Sequence, residues 1–336
     1  FFDPQRALGS LLMMAYCLIC LGLAGIFFVA IQYASGAAWG TAFRRIPEAM
    51  CAVLPYGAAL LAAVFVFGGT LYPWIHDREG MAGLKAVWLS LPFFLTRAAL
   101  YVVLWFLFAR AILRTSRLQD ETRDPQATSR NVRLSVIFLL VFGVTFWLAS
   151  FDWIMSLEPH WSSTIFGIYN FAGMFSSGLA VIVLLAVWLR RAGPLRDFIT
   201  DEHLHDLGKL LFAFSTFWMY IWFSQYMLIW YANISEETTY YIARLRNAWA
   251  PLFLLNLILN WVIPFAVLLP RGTKRSPRAL GRVAAVVLAG RVLDVYLMVA
   301  PPLHGANPKL GIWEIGALEG AAGAALLLYR RAMKQA

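Results

Sequence analysis

Leu8–Tyr33 reads LGSLLMMAYCLICLGLAGIFFVAIQY and contains no charged residue. As a helix rising 1.5 Å per residue it is long enough to cross a hydrocarbon core of roughly 30 Å. It is also too long for the apolar segment of a signal peptide. Eight further runs of similar character follow, at about Met50–Trp74, Gly83–Leu113, Arg133–Met155, Thr164–Leu189, Leu204–Ala232, Trp249–Leu269, Leu280–Ala300 and Ile312–Tyr329. Composition points the same way, with 61% hydrophobic, 15% aromatic and 14% charged residues, against roughly a quarter charged in soluble chains. The sequence therefore predicts an all-α polytopic membrane protein with nine transmembrane helices. Residues 1–336 form a single integral membrane domain.

Prolines mark several run ends (Pro73, Pro159, Pro194, Pro251, Pro270, Pro301, Pro302), while Pro55 and Pro92 fall inside runs and predict kinks there. The longest segment between runs, Arg114 to Asn131, is charged and contains Asp124-Pro125, and no segment is long enough for a separate soluble domain.

The formal charge of +10 is unevenly placed. Nineteen of the 28 lysines and arginines lie after runs one, three, five and seven or at the C-terminus, in the groups Arg44–Arg45, Arg110–Arg133, Arg190–Arg196, Arg271–Arg282 and Arg330–Lys334. Six lie on the opposite side (Arg6, Arg78, Lys85, Arg244, Arg246, Lys309) and three within runs (Arg97, Lys209, Arg291). The positive-inside rule makes the rich side cytoplasmic. The basic balance is thus topological, with lipid as a partner and no role for nucleic acid. It places the C-terminus in the cytoplasm and the Glu158–His160 loop outside. The sequence start falls outside too, so a tenth helix is expected upstream. Runs one to four and five to eight each begin and return outside, which allows tandem four-helix bundles at about 8–155 and 164–300, with an extra helix at 312–329.

Redox cofactors find no ligands. The five histidines (His76, His160, His203, His205, His304) sit at run ends or loops, whereas a bundle haem needs them well inside. Cys17 and Cys20 form a CxxC, but Leu21 follows where covalent haem attachment requires His. Three cysteines do not supply an iron–sulfur cluster, and no metal-binding spacing appears.

Ionisable residues within apolar runs are costly, about 2.5–3.5 kcal/mol each on insertion scales, and need partners or water. Arg97 is central in run three. Arg291 and Asp294 are one helical turn apart in run eight, and Glu314 and Glu319 enter run nine from outside. Matching depths predict an Arg291–Glu319 or Asp294–Glu314 pair. At the start of run six, His205, Asp206 and Lys209 share a face beneath a cap at Thr200 or Asp201, a candidate site of proton uptake or a solvated helix end. Gln225 and Tyr226 are polar positions further along that run, suited to gluing helices or to facing quinol.

The hairpin SFDWIMSLEPHWSSTIFGIYNFAG, Ser150–Gly173, gathers Asp152, Glu158 and His160 among aromatics at the outer edge. It reads either as an aromatic-anchored turn or as a proton exit or quinol-facing acid, since oxidising a quinol requires a proton acceptor.

Together with FSQYMLIWYANISEETTYY at Phe223–Tyr241 and GRVLDVYLM at Gly290–Met298, this hairpin resembles the NrfD/PsrC-type membrane subunits, in particular the ActF type of bacterial alternative complex III. The resemblance runs over most of the chain. It implies a ten-helix protein with two four-helix bundles, placed in a quinol:cytochrome c (or high-potential acceptor) oxidoreductase of the bacterial inner membrane. It also implies that haem c and iron–sulfur clusters reside on partner subunits, and that a homologous membrane subunit holds the quinol site beside a His…Ser-Trp-Asp-Phe helix end. Here the acid is retained as Asp152 in Ser150-Phe-Asp-Trp153, but Phe146 and Ser162 stand where the quinol-binding type carries histidine, and Ser235 replaces the usual proline. The resemblance thus favours a proton-conducting or supporting role over quinol oxidation by this chain. Asp152, Glu158, His160, His205, Asp206, Lys209, Arg97, Arg291, Asp294, Glu314 and Glu319 are the proton-path candidates. Asp152, Gln225 and Tyr226 are the candidate quinol or helix contacts. A passive scaffold subunit and a freestanding secondary transporter are the alternatives. The transporter lacks the matched pair of Gly/Pro-broken runs that marks a midplane substrate site.

Overall fold

A computed structural model describes residues 3–77, 81–122, 125–193 and 195–334. Arg78, Arg123, Asp124 and Pro194, which the sequence reading used, lie outside the described residues. Among the described residues the regular structure is all helical, with no strand.

The first half comprises α1 (Pro4–Ala34), α2 (Arg45–Met50), α3 (Leu54–Phe67), α4 (Gly83–Trp88), α5 (Leu91–Thr122) and α6 (Pro125–Trp153). The second comprises α7 (Phe166–Ala192), α8 (Asp201–Ala232), α9 (Ser235–Leu245), α10 (Ala250–Leu257) and α11 (Ile263–Leu268). It continues through α12 (Arg271–Arg275) and α13 (Pro277–His304) to α14 (Ile312–Met333). Eight helical stretches among the described residues are long and apolar enough to cross a membrane. The ninth expected span coincides with α8, which is as long as α5 but less apolar. Trp218, Tyr220, Trp222, Ser224, Gln225, Tyr226 and Trp230 dilute its aliphatic content.

Local chemistry sets the element ends. Asp3 accepts from the Arg6 N–H at 3.2 Å and caps α1. Thr200, rather than Asp201, caps α8, and the His203 side chain bonds back to the Thr200 backbone N–H. The second run breaks where predicted, with a 3₁₀ turn at Cys51–Val53 separating α2 from the Pro55 start of α3. Pro92 does not kink the third run. It occupies the second position of α5, where its missing N–H costs nothing, and the run divides before it into α4 and α5. Between α10 and α11 the chain widens into a π turn, Ile258–Val262, just before Pro264. Proline has no N–H for the Asn260 carbonyl, and a π turn is one way to absorb that loss.

In the first half α1 packs on α3 and α6, and α6 packs on α5. In the second half α7 packs on α8 and α13, and α11 bridges α8 and α13. The halves join because α1 also lies against α7, α13 and α14, and α6 lies against α7. Small residues allow the approach: a Cβ on Gly178 of α7 would lie 2.2 Å from that of Ala24 on α1. Phe27, Phe142, Phe171 and Phe175 fill the seam of α1, α6 and α7, at centroid separations of 4.9 to 5.1 Å around Phe27. The arginine-rich end is laced by Arg44 and Arg45 to Asp120, Arg190 to Asp201 and Arg275 to Glu202.

Candidate functional site

Among the described residues, several groups of charge are taken out of solvent by this packing. The deepest centres on Asp294, 1% exposed, ten residues before the end of α13 and so about 15 Å along its axis. Arg291 Nη1 pairs with its Oδ2, while the Tyr169 hydroxyl and Asn256 Nδ2 (3.0 Å) donate to Oδ1. Asn260, inside the π turn, donates to the Asn256 side-chain oxygen at 2.7 Å. The Arg291 guanidinium lies against Gly173, where a Cβ would stand 2.3 Å from Nη1. Among the described residues its Nε and Nη2 have no hydrogen-bond partner, nor do the buried Ser176 and Ser215 hydroxyls, Trp218 Nε1 and Gln225 Oε1 of α7 and α8. Buried polar groups of this kind are those that ordered water satisfies.

Asp152, wholly buried at the end of α6, is bound differently. Arg97 of α5 grips it with Nε at 3.0 Å and Nη2 at 2.8 Å, Trp88 Nε1 donates at 2.8 Å, and the Tyr101 hydroxyl at 3.1 Å. The guanidinium also donates to the Trp88 carbonyl at 3.0 Å and stacks 3.9 Å from the Trp88 ring centre. Neither the paired nature of Arg97 and Asp152 nor the anchoring by Trp88 was expected from the sequence.

At the outer end, Arg244 of α9 is 1% exposed and donates to Glu158 at 2.7 Å. It also donates to the Leu297 and Tyr240 carbonyls at 2.8 and 2.9 Å. Burial disfavours its charge, but Glu158 and the neighbouring tyrosines outweigh that and raise its pKa above the usual guanidinium value. Trp161 stacks on Tyr240 at 4.1 Å and donates to the Glu237 carbonyl, fastening the hairpin to α9. Arg244 was counted only as an outer charge in the sequence, because burial of one arginine on a short amphipathic helix leaves no pattern. A fourth group is Glu48, held by Arg44, Arg45 and the Ser116 hydroxyl at the arginine-rich end.

The remaining candidates lie apart from these groups. Glu314 takes a bidentate grip from Arg6, both distances 2.7 Å, and accepts from the Gly311 N–H. Glu319 is exposed on α14. The expected Arg291–Glu319 and Asp294–Glu314 pairs therefore do not form. Glu314 turns toward Arg6 instead, and Arg291 is left to Asp294 on its own helix. His160 is exposed. Lys209 pairs with Asp206 at 2.7 Å, yet it is more than half exposed, and His205 lies 4.0 Å from Asp206. Lys209 thus lies on the exposed side of its helix end, while Asp206 is a third exposed and His205 is largely covered. Gln225 is buried, whereas Tyr226 stacks on Trp222 and lines an outer cleft with Trp230 and Arg246. Tyr169 enters the sequence reading only as one aromatic of the hairpin, and Asn256 and Asn260 escaped it. The last two, four apart in LFLLNLILNWV, were the legible signal.

Among the described residues no group of three or more His, Cys, Asp or Glu side chains lies together as metal ligands would. A scan against protein-family models and a search of curated proteins returned no match to the chain.

Proposed function

We propose that the chain is the membrane subunit of a quinol:cytochrome c (or high-potential acceptor) oxidoreductase complex, contributing a proton-handling group beside a homologous quinol-binding subunit. In this reading it lies in the bacterial inner membrane with its arginine-rich face and C-terminus cytoplasmic. Haem c and iron–sulfur clusters belong to partner subunits. The observation that supports it is the Asp294 group. A carboxylate at membrane depth keeps company with an arginine, a tyrosine, two asparagines and several unpartnered polar atoms, as proton relays in membranes require. Three donors occupy Asp294, leaving one acceptor position of about four open. Quinol chemistry itself is assigned to the partner, and this chain's part is to hold or pass a proton at Asp294 Oδ2 or Oδ1.

The test is Asp294→Asn, with Asp206→Asn and Lys209→Met in parallel, in the complex reconstituted into vesicles. Quinol oxidation and proton release are measured together. Asp294→Asn is expected to lower protons released per electron while assembly persists, and the two helix-end variants to leave the ratio unchanged. Normal assembly, turnover and proton ratio in Asp294→Asn would leave only the scaffold reading. Asp152 supports that second reading locally, since every acceptor position of its carboxylate is filled.

A further inference from the structure

On the arginine-rich end, a crevice of about 520 Å³ opens between the α2–α3 segment and α5. Its mouth is lined by Arg110, Arg114 and Arg117, spaced four and three residues apart and therefore on one face of α5. All three are exposed, and none has an ion pair among the described residues. This sets them apart from Arg44, Arg45, Arg190 and Arg275 on the same end, each of which is tied to an acid. Two carboxylates lie in the crevice. Glu48 is consumed by Arg44, Arg45 and Ser116, so Glu121, one turn past Arg117, is the one acid set against three free guanidiniums. Toward the membrane interior the walls turn apolar, with Leu54, Pro55 and Phe106. Ala332 closes one side, in the α14 turn that also bears Arg330 and Arg331.

A crevice that is cationic at the headgroup level and apolar below it matches an amphiphile with the opposite polarity order. We propose that it binds an anionic phospholipid of the leaflet on the arginine-rich face, the phosphate held by Arg110, Arg114 and Arg117 and an acyl chain lying along Phe106 and Pro55. Arginines that serve topology alone need no such apolar floor. The three guanidiniums spread over about 10 Å of helix, more than one phosphate spans, so the site favours a lipid with two phosphates, diphosphatidylglycerol being the type. Guanidinium pairs phosphate in a bidentate manner, which lysine does not reproduce.

The experiment uses the full chain purified in detergent. Thermal unfolding is followed as diphosphatidylglycerol, phosphatidylglycerol, phosphatidylcholine or inorganic phosphate is added. The comparison is R110Q/R114Q/R117Q against a charge-matched control, R130Q/R278Q/R282Q. Diphosphatidylglycerol is expected to raise the midpoint of the wild type and the control at lower concentration than phosphatidylglycerol does. The triple crevice variant should lose most of that rise. Should that variant fail to fold, Arg114→Gln alone is read by native mass spectrometry, with fewer retained anionic lipids expected than in the wild type. An undiminished response in the crevice variants, an equal response to phosphatidylcholine, or an equal response to inorganic phosphate at matched phosphorus overturns the site. A two-phosphate lipid no better than phosphatidylglycerol overturns the preference.

Discussion

Four donors converge on the Asp152 carboxylate, from Arg97, Trp88 and Tyr101, and a carboxylate has about four lone-pair sites to offer. Asp294 accepts three and keeps one in hand. That difference of one donor separates a carboxylate that fastens helices from one that retains capacity for exchange. Replacing Asp152 with Ala strands Arg97, 6% exposed, without its counter-charge, and breaking a buried pair in this way costs about 3–5 kcal/mol. We expect Asp152→Ala to unfold at markedly lower denaturant in detergent, and the double change Arg97→Met with Asp152→Leu to recover much of the loss. If the single variant were as stable as the wild type, the pair would not be the fastening it is described to be. The sequence exposed both residues as intramembrane charges. It could not join them, because they stand 55 positions apart on two different helices, α5 and α6.

At the scale of elements, the α10–α11 segment and α13 meet around Gly290, whose absent Cβ makes room for Asn260. A Cβ there would lie 2.8 Å from the Asn260 Nδ2. Gly290→Ala should therefore displace Asn260 and through it Asn256 and Asp294, at about 1–3 kcal/mol for overpacking. Gly281 on the same helix finds its nearest atom, a Val187 methyl carbon, 3.8 Å away. Gly281→Ala should be neutral or gain up to about 1 kcal/mol from helix propensity. Thermal midpoints of the two variants give the comparison, and equal effects would show that Asn260 shifts freely. Element positions were largely legible, since apolar length and proline placement are local properties. The π turn and the start of α5 at Leu91 were not, because they depend on how Pro264 and Pro92 are accommodated by neighbours. The aromatics of α8 divide between two settings: Trp218 and Trp222 are buried against Tyr169 of α7 and Tyr241 of α9, while Tyr220, Phe223, Trp230 and Tyr231 are exposed.

Across the whole molecule, charge asymmetry and the alternation of runs gave the two ends their characters, and the ion pairs at each end follow it. What joins the halves was out of reach of any run-by-run reading, because α1, the first long helix, is shared between them. Arg6 near its start is bound to Glu314 near the start of α14, 308 residues along the chain. A chain ending at Lys309 should insert its earlier helices yet lose protein in pulse-chase labelling faster than the full chain. A lifetime equal to that of the full chain would show α14 to be dispensable to the α1 seam.

The position of α1 also bears on biosynthesis. Of the long helices described it leaves the ribosome first, but its faces toward α7, α13 and α14 are made by segments delivered much later. Until those arrive, Tyr16, which donates to Asn170 at 2.7 Å, and Gly9, which lies against Leu303 of α13, front the lipid or whatever insertion factor stands there. The interval between translating α1 and translating α14 is thus a window of vulnerability. Ribosome pausing, chaperoning or quality control during that interval will determine how much of the protein reaches its finished form.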